Sequence, residues 1–168
     1  VAQDFLGLTY FRSYNMKIIR TRMFAYLNPR RADLFATSFA FQVACIEAGL
    51  QKELRHGNLD SVRTLIDVRD AMEDYWLAML HCEPGEVYNI GGSRHSHCSM
   101  IEAITLISDR CGRQLSYTHS DDNRVGDHIW YVSDVRKFQQ HYPNWEYQYD
   151  LDRLVAEICE AAAAKSRQ

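Results

Sequence analysis

The chain has 168 residues, about the length of one domain, and 46% of them are hydrophobic, which is ordinary for a protein that buries a core. Its 22 acidic and 19 basic residues leave a net charge of −3 with both signs mixed, which excludes the broad basic face that nucleic-acid binding needs. No apolar run approaches the roughly 18 residues of a membrane span, and we expect a cytoplasmic protein without signal peptide, membrane or nucleic-acid partner.

The five cysteines are odd in number and scattered, without a C-x-x-C pair. This pattern favours reduced thiols, mostly packed in the interior. The densest group of possible metal ligands is His95-Ser96-His97-Cys98, but no second ligand pair follows at a zinc-site spacing. We therefore expect no metal site.

The first third of the chain predicts a helix over 1–14, a strand over 17–24, a loop over 25–33 and a helix over 34–49. The first helix carries no N-cap signal, as though it started earlier. In the second helix, apolar side chains recur every three or four residues, and Gly49 is a natural stop.

In the middle of the chain, Asp67 stands where a helix cap belongs and Ser99 forms a capping-box pattern with Glu102. Asp134 and Asp150 are expected to cap two later helices. The other predicted elements are, in chain order, strands over 54–56, 64–66 and 87–90, helices over 68–82 and 99–111, strands over 115–118 and 129–132, a polar loop over 120–127, and helices ending near 140 and 164. This alternation of strands and helices predicts an α/β fold.

Six aromatic side chains recur at helical or alternating spacings, which favours packing in the core over stacking on a nucleobase. They are Tyr75, Trp76, Trp130, Tyr131, Tyr142 and Trp145.

The stretch GNLDSVRTLIDVRDAMEDYW, from Gly57 to Trp76, resembles the middle of extended short-chain dehydrogenases that modify nucleotide sugars. Within these, nearly the whole chain is most similar to GDP-mannose 4,6-dehydratases and the related reductases. The resemblance implies the C-terminal portion of an extended Rossmann-type enzyme, with the last strands of the parallel sheet and the small substrate-binding domain. Residues 1–31 and about 63–92 would contribute to the cofactor-domain sheet, and most of the single 168-residue unit would bind the nucleotide sugar.

Residues 23–31 resemble the family's Phe-Asn-His-x-x-Pro-Arg-Arg motif, and this likeness places Tyr26 and Arg31 against the nicotinamide cofactor. Ala25 replaces an Asn that contacts substrate in the family, and Tyr26 replaces the His. The alternative is a solvated pair of arginines on a surface loop.

Three residues are expected to bind the substrate. Arg63 resembles the family arginine that holds the nucleotide diphosphate, and Arg124 resembles that of the Arg-x-Gly-Asp loop. A planar guanidinium can hold two phosphate oxygens at once, so we expect both to converge on one pyrophosphate, with His128 as a weaker donor. The alternatives are a surface arginine between two elements and a solvated polar loop.

We expect no catalytic residue in these 168 residues. In the resembled family the Tyr-x-x-x-Lys pair lies on the first helix and would precede Val1, whereas neither Tyr10 nor Tyr14 has a lysine four residues later. The glycine-rich dinucleotide fingerprint is not present in the sequence either. NADP or NAD would be bound mainly by an N-terminal half, and this chain alone is predicted to be inactive.

The parent reaction implied is conversion of GDP-mannose to GDP-4-keto-6-deoxymannose by a lyase that forms dimers or tetramers. Four alternatives stay open. They are a reductase of the keto sugar, a CDP- or UDP-sugar epimerase, a stand-alone nucleotide-sugar binding module, and an inactive product of truncation. The segment GDHIWYVSDVRKFQQHYPNW is also similar to CDP-sugar epimerases, so the base stays open as well.

Overall fold

The computed structural model describes residues 1–31, 34–112, 115–119 and 128–166. Within these ranges the helices are α1 Ala2–Tyr14, α2 Phe35–Glu47, α3 Val68–His81, α4 Met100–Cys111, α5 Arg136–His141 and α6 Leu151–Ser166. The strands are β1 Arg20–Met23, β2 Tyr26–Leu27, β3 Leu54–His56, β4 Val62–Thr64, β5 Ile66–Asp67, β6 Val87–Ile90, β7 His97–Ser99, β8 Tyr117–His119 and β9 Trp130–Tyr131. This mixture of helices and mostly parallel strands confirms the predicted α/β class.

Short parallel pairings connect most of the strands. β1 pairs with β6, β2 with β5, and β3 with β8, all in parallel. β4 lies between β7, which is antiparallel to it, and β9, which is parallel. Residues 62–67 contain both β4 and β5, so this one segment links the sheet around β9 to the pair formed with β2.

The largest core cluster is built by one face each of helices α2, α4 and α6. Apolar residues three and four positions apart share a helix face, and on all three helices these faces point inward. Their buried side chains include Phe39, Val43, Ile104, Ile107, Leu154, Val155 and Ile158. Burying a side chain of this size stabilises the fold by roughly 1.5–3 kcal/mol.

Two smaller clusters lie beside β6. In the first, Tyr88 of β6 packs with Phe138 of α5 and with Trp145. In the second, Ile90 of β6 packs with Ile66 of β5 and Ala71 of α3. Together they fix β6, and therefore the loop that follows it, against the segment 62–67.

The predicted helix caps at Asp67 and Ser99 are confirmed. The Asp67 carboxylate accepts a hydrogen bond from the N–H of Arg69 at 2.7 Å. Ser99 Oγ accepts from the N–H of Glu102 at 3.1 Å, while the Glu102 carboxylate accepts from the N–H of Ser99 at 2.7 Å. Asp150 likewise accepts from the N–H of Arg153 at 2.8 Å, just ahead of α6.

The strand predicted over 64–66 is wrong in its limits. β4 begins at Val62 and β5 ends at Asp67, with Leu65 between them, so Arg63 lies inside a strand and not ahead of one. The loop predicted over 25–33 contains β2, and β7 has no counterpart among the predicted elements. Strands of two or three residues are too short to show an alternating pattern, which explains these differences.

The prediction that the aromatic set packs in the core holds for Trp145, which is buried, but is wrong for two other tryptophans. Trp76 is 58% exposed and Trp130 is 68% exposed. Along the described parts of the chain, every helix is too short or too polar to cross a membrane.

Candidate functional site

The pairing of β4 with β9 brings Arg63 to Tyr131. The two residues are direct partners in the parallel register, so their side chains share one face of the sheet. The guanidinium carbon of Arg63 lies 5.9 Å from the centre of the Tyr131 ring, within the range of a cation–π contact. Ser61 Oγ donates a hydrogen bond of 3.1 Å to the backbone oxygen of His128, which fixes the start of β9 beside β4.

Two further rings stack with Tyr131. The His128 ring is nearly parallel to it, at 8° with 5.2 Å between centroids, and Phe24 stacks at 4.6 Å and 29°. We call these four residues, Phe24, Arg63, His128 and Tyr131, the Tyr131 cluster. The structure thus brings together two predicted substrate-binding residues, Arg63 and His128, that lie far apart in the sequence.

The third predicted substrate-binding residue, Arg124, lies outside the described residues. Its convergence with Arg63 on one pyrophosphate therefore stays a prediction. His128 is the first described residue after that segment, and its side chain is exposed.

The predicted cofactor-binding residues also lie together. Arg31 Nη1 donates a hydrogen bond of 3.0 Å to the Tyr26 hydroxyl, and the guanidinium carbon is 5.4 Å from the centre of the Tyr26 ring. Asn28 shapes the intervening turn because its side-chain oxygen accepts from the N–H of Arg30 at 2.9 Å. Lys165, near the end of α6, donates a hydrogen bond of 3.0 Å to the Pro29 carbonyl, which ties this turn to α6.

The segment 62–67 connects the two groups. Arg63 faces Tyr131 in β4, and three residues later Ile66 pairs with Tyr26 in the parallel pair of β5 and β2. At about 3.3 Å per residue in extended chain, these two anchoring positions are roughly 10 Å apart. The segment 62–67 thus holds the strand partners of both Tyr131 and Tyr26.

Glycines at the carboxyl end of β6 form the base of this region. A Cβ atom on Gly91 would lie 2.7 Å from Ser133 Oγ and 2.8 Å from Phe24 Cβ, and one on Gly92 would lie 2.0 Å from the Leu65 carbonyl oxygen. Neither position can carry a side chain without a shift of its neighbours. The close approach places Phe24 and the segment 62–67 against the end of β6, where ligands bind in open parallel sheets.

Hydrogen bonds hold the loop that follows these glycines. Thr64, which is fully buried, donates through its hydroxyl to the Ser93 carbonyl at 3.0 Å, and Ser133 Oγ accepts from the N–H of Ser93 at 2.9 Å. Tyr147 donates to the Gly91 carbonyl at 2.6 Å. The loop is therefore fixed to β4 and to two segments that follow β9.

The acidic and basic groups at the start of α3 are occupied with one another. Arg69 donates to the Asp67 carboxylate and to Glu157 of α6, at 2.7 Å and 2.6 Å. These contacts, the Asp67 pair first, raise the pKa of Arg69. The carboxylate of the predicted cap Asp67 is therefore occupied by Arg69 as well as by the backbone at the start of α3.

Tyr26 and Arg31 fit part of a nicotinamide dinucleotide. A guanidinium beside a hydroxyl, on a turn with a fixed backbone, offers donors for a phosphate or a ribose. The sequence has no glycine-rich turn to hold the pyrophosphate, so these residues would supply only one side of such a site. No three histidine, cysteine, aspartate or glutamate side chains converge on a metal position anywhere in the ranges the structure describes.

Sequence reasoning missed the part that Phe24 and Tyr131 play. Tyr131 was expected only to pack, and Phe24 was expected to end a strand. The sequence feature that could have indicated this role is the position of Tyr131, three residues after His128 in a short strand that follows the polar loop.

Comparison with known proteins places this geometry in a family. A family model described as GDP-mannose 4,6 dehydratase matches residues 1–158. The chain belongs to the GDP-mannose 4,6-dehydratase family. This confirms the membership in the extended short-chain dehydrogenase group that the Gly57–Trp76 stretch predicts.

Curated relatives of this family member include enzymes for two reactions. It is 30% identical to a GDP-6-deoxy-D-mannose reductase of Pseudomonas aeruginosa, over 65% of this chain and 36% of that protein. It is 26% identical to the GDP-mannose 4,6 dehydratase of Cricetulus griseus, over 89% of this chain and 45% of that protein. The chain thus spans less than half the length of these relatives.

Solved structures of extended Rossmann-type enzymes share the fold. RMD from Pseudomonas aeruginosa, complexed with NADPH, superposes with a TM-score of 0.86 at 22% identity, over 98% of this chain and 54% of that one. A UDP-glucuronic acid 4-epimerase from Bacillus cereus, solved with UDP-glucuronic acid and NAD, superposes with a TM-score of 0.82 at 19% identity, over 96% of this chain and 50% of that one. At these identities the likeness concerns the fold alone.

Proposed function

We propose that this chain is the nucleotide-sugar-binding part of an NAD(P)-dependent enzyme like GDP-mannose 4,6-dehydratase. In this proposal Arg63 and Arg124 hold the diphosphate of a GDP sugar, and His128 donates a further hydrogen bond. The observation that supports it is the Tyr131 cluster, which places Arg63 and His128 around one ring, beside Phe24 at the carboxyl end of β1.

The Tyr131 cluster suits an anionic ligand because the Arg63 guanidinium is already positioned before the ligand binds. The contact of Arg63 with the Tyr131 ring, and the pairing of β4 with β9, limit the conformations available to the side chain before a ligand arrives. Less conformational entropy is then lost on binding. A guanidinium in this position can donate two parallel hydrogen bonds to phosphate oxygens.

Tyr26 and Arg31 are proposed to contact NADP or NAD, whose main site would lie in an N-terminal half of the complete enzyme. Residues 1–31 and about 63–92 would then belong to the cofactor-domain sheet, and the remaining residues mainly to the substrate domain. When bound, the nicotinamide supplies hydride transfer. The contribution of these two residues is to orient a phosphate or ribose beside the strand ends.

Calorimetric titration with GDP and GDP-mannose tests the proposal. Replacing Arg63 with alanine removes charge-assisted hydrogen bonds worth about 1.5–3 kcal/mol, so we expect affinity to fall about 10–100-fold. Arg63→Lys keeps the charge but loses the two-pronged geometry, and its loss should be intermediate.

The matched control is Arg55→Ala, which removes an equal charge from an exposed position on β3. It should leave the affinity unchanged. Absence of GDP binding to the unaltered chain, or equal affinities for Arg63→Ala and the control, would contradict the proposal.

The parent reaction, GDP-mannose to GDP-4-keto-6-deoxymannose, is expected to need residues that this chain does not contain. Mixed with NADP and GDP-mannose, the 168 residues should form no keto sugar. Chromatographic detection of the product above a no-protein blank would show that catalysis does not need a second half.

A reductase of the keto sugar is the second candidate. The 30% identity to a GDP-6-deoxy-D-mannose reductase favours it. Competition between GDP-mannose and the 4-keto sugar separates the two, because a reductase should bind the keto form more tightly. Titration with CDP and UDP sugars tests the epimerase alternative in the same assay. Cytoplasmic localisation and assembly into dimers or tetramers stay predictions.

A further inference from the structure

Two of the five scattered cysteines meet in the folded chain. Cys111 is the last residue of α4, and Cys159 lies in the middle of α6. Both pack against the same core cluster, and each thiol lies close enough to the other to influence its pKa, although 47 residues separate them in the sequence. Both side chains are half-buried, so they are held by the core and still touch solvent.

The surroundings of the pair set their positions. Both cysteines pack against the core cluster of α2, α4 and α6. The side chain of Glu47, at the end of α2, also contacts the Cys111 thiol. Gly112 ends α4 in the left-handed conformation, with φ of 63°, directly after Cys111. Arg110 donates to the Asp152 carbonyl at 3.1 Å and ties the end of α4 to the start of α6.

We propose that Cys111 and Cys159 form an intramolecular disulfide when the protein meets a peroxide, and that this bond crosslinks helices α4 and α6. One thiolate attacks the O–O bond of hydrogen peroxide and forms an S–O bond, and the hydroxide that leaves takes up a proton to become water. The second thiolate attacks that sulfur, the S–S bond forms, and the remaining oxygen leaves as a second water. Two thiols are oxidised by two electrons and one peroxide is reduced.

Cys82 and Cys98 lie in surroundings that make them less suited to forming a disulfide than Cys111 and Cys159. The Cys82 thiol accepts a hydrogen bond from the Tyr142 hydroxyl at 2.8 Å. Cys98 is buried in β7, and burial raises its pKa to about 12. A disulfide needs sulfur atoms that can come within about 2 Å, and Cys111 and Cys159 pack on one core cluster where α4 is tied to α6.

The reaction should be slow at neutral pH and faster in alkaline solution. Burial raises the pKa of both thiols, to about 11 for Cys159. Only the thiolate attacks, so its fraction rises about tenfold per pH unit below the pKa. The crosslink would enclose residues 112–158, which include His128 and Tyr131, and its formation would join this segment to the helical core at both ends.

Peptide mapping of the folded chain after treatment with hydrogen peroxide tests the proposal. Mass spectrometry without reduction should show loss of two hydrogens from the intact chain and one dominant crosslinked peptide, Cys111 with Cys159, reversed by dithiothreitol. The initial rate should rise about tenfold from pH 7 to pH 8. The same treatment in 6–8 M urea should distribute the crosslinks over several pairs, because the folded structure is lost there.

Variants supply the controls. Cys159→Ser should abolish the intramolecular crosslink, and Cys82→Ser should retain it. The oxidised chain should unfold about 5–10 °C higher than the reduced chain, since the crosslink restricts the unfolded state. A different dominant pair in the folded chain, an unchanged crosslink pattern in urea, or a lower unfolding temperature after oxidation would overturn the proposal.

Discussion

Asp74 lies on the inner side of α3 with 2% of its surface exposed, and one of its carboxyl oxygens finds no hydrogen-bond partner among the described residues. Burial, followed by the charges of Asp70 and Glu73, raises its pKa to about 8. Asp70, one turn earlier, is buried too, but its carboxylate accepts hydrogen bonds from the N–H groups of Gln148 and Tyr149, both at 3.2 Å. The two neighbours therefore differ in role, since only Asp70 anchors the segment before α6.

Replacement of Asp74 with asparagine should remove a pH dependence of stability. The pKa of the folded state lies above the ordinary aspartate value, so the folded chain keeps a proton that the unfolded chain loses between about pH 4 and pH 8. The free energy of unfolding should therefore fall as pH rises through this window, by up to about 1.4 kcal/mol per unit. Urea unfolding at pH 5, 6, 7 and 8 measures it.

Asp109→Asn is the matched control for this prediction because Asp109 is an exposed aspartate on another helix, α4, and does not contribute to the pKa of Asp74. It should leave the pH profile close to that of the unaltered chain, whereas Asp74→Asn should flatten it. Parallel profiles for all three proteins would show that Asp74 is charged at neutral pH in the folded state.

Among the secondary-structure elements, helices could be predicted better than strands, and the reason is physical. The caps at Asp67 and Ser99 use bonds between residues two or three positions apart, so the sequence alone contains the whole interaction. β4 and β7 are defined by pairing with each other and, for β4, with β9, and neither partner is visible from the strand itself. For this reason Arg63 was identified as a candidate while its place inside β4 was not.

The capping box of α4 should account for a measurable part of the stability. Ser99→Ala removes the acceptor for the N–H of Glu102 and should lower the free energy of unfolding by about 1 kcal/mol. The hydrogen bonds from Ser99 lower the pKa of Glu102, so the contribution of Glu102 is present above its ordinary pKa and is lost as pH falls through the lowered value. Urea unfolding at pH 7 and pH 3 measures both effects.

Thr105→Ala is the control within the same helix. Its hydroxyl is exposed and bonds only to the Ile101 carbonyl one turn earlier, at 3.0 Å, so its loss should change stability by less than about 0.5 kcal/mol. Equal effects of the two substitutions would mean that the box contributes no more than an ordinary surface hydroxyl.

At the scale of the whole molecule, the candidate site is assembled from three separate parts of the chain. Phe24 follows β1, Arg63 lies in β4, and His128 and Tyr131 flank the start of β9. Motif resemblance could indicate Arg63 and His128 one at a time, because each lies in its own family-like stretch of sequence. Their meeting at Tyr131 depends on strand pairing over more than 60 residues, which local sequence patterns do not encode.

The helix α1 is the element that the rest of the molecule holds least. It contributes no buried side chain, and Phe5, Leu6 and Tyr14 are more than half exposed. Its described polar contacts with the sheet are ion pairs from Asp4 to Arg20 and Arg22 on β1. A helix of 13 residues is marginal in water without an apolar face packed on a core.

Hydrogen–deuterium exchange followed by mass spectrometry should therefore separate α1 from the core. At low protein concentration, amides of α1 should exchange at least about 100-fold faster than those of α4, because local opening exposes them without global unfolding. Asp4→Asn should accelerate exchange in α1 and leave α4 unchanged. Protection of α1 equal to that of α4 would contradict this, and protection that grows with protein concentration would show that a second copy covers its apolar side chains.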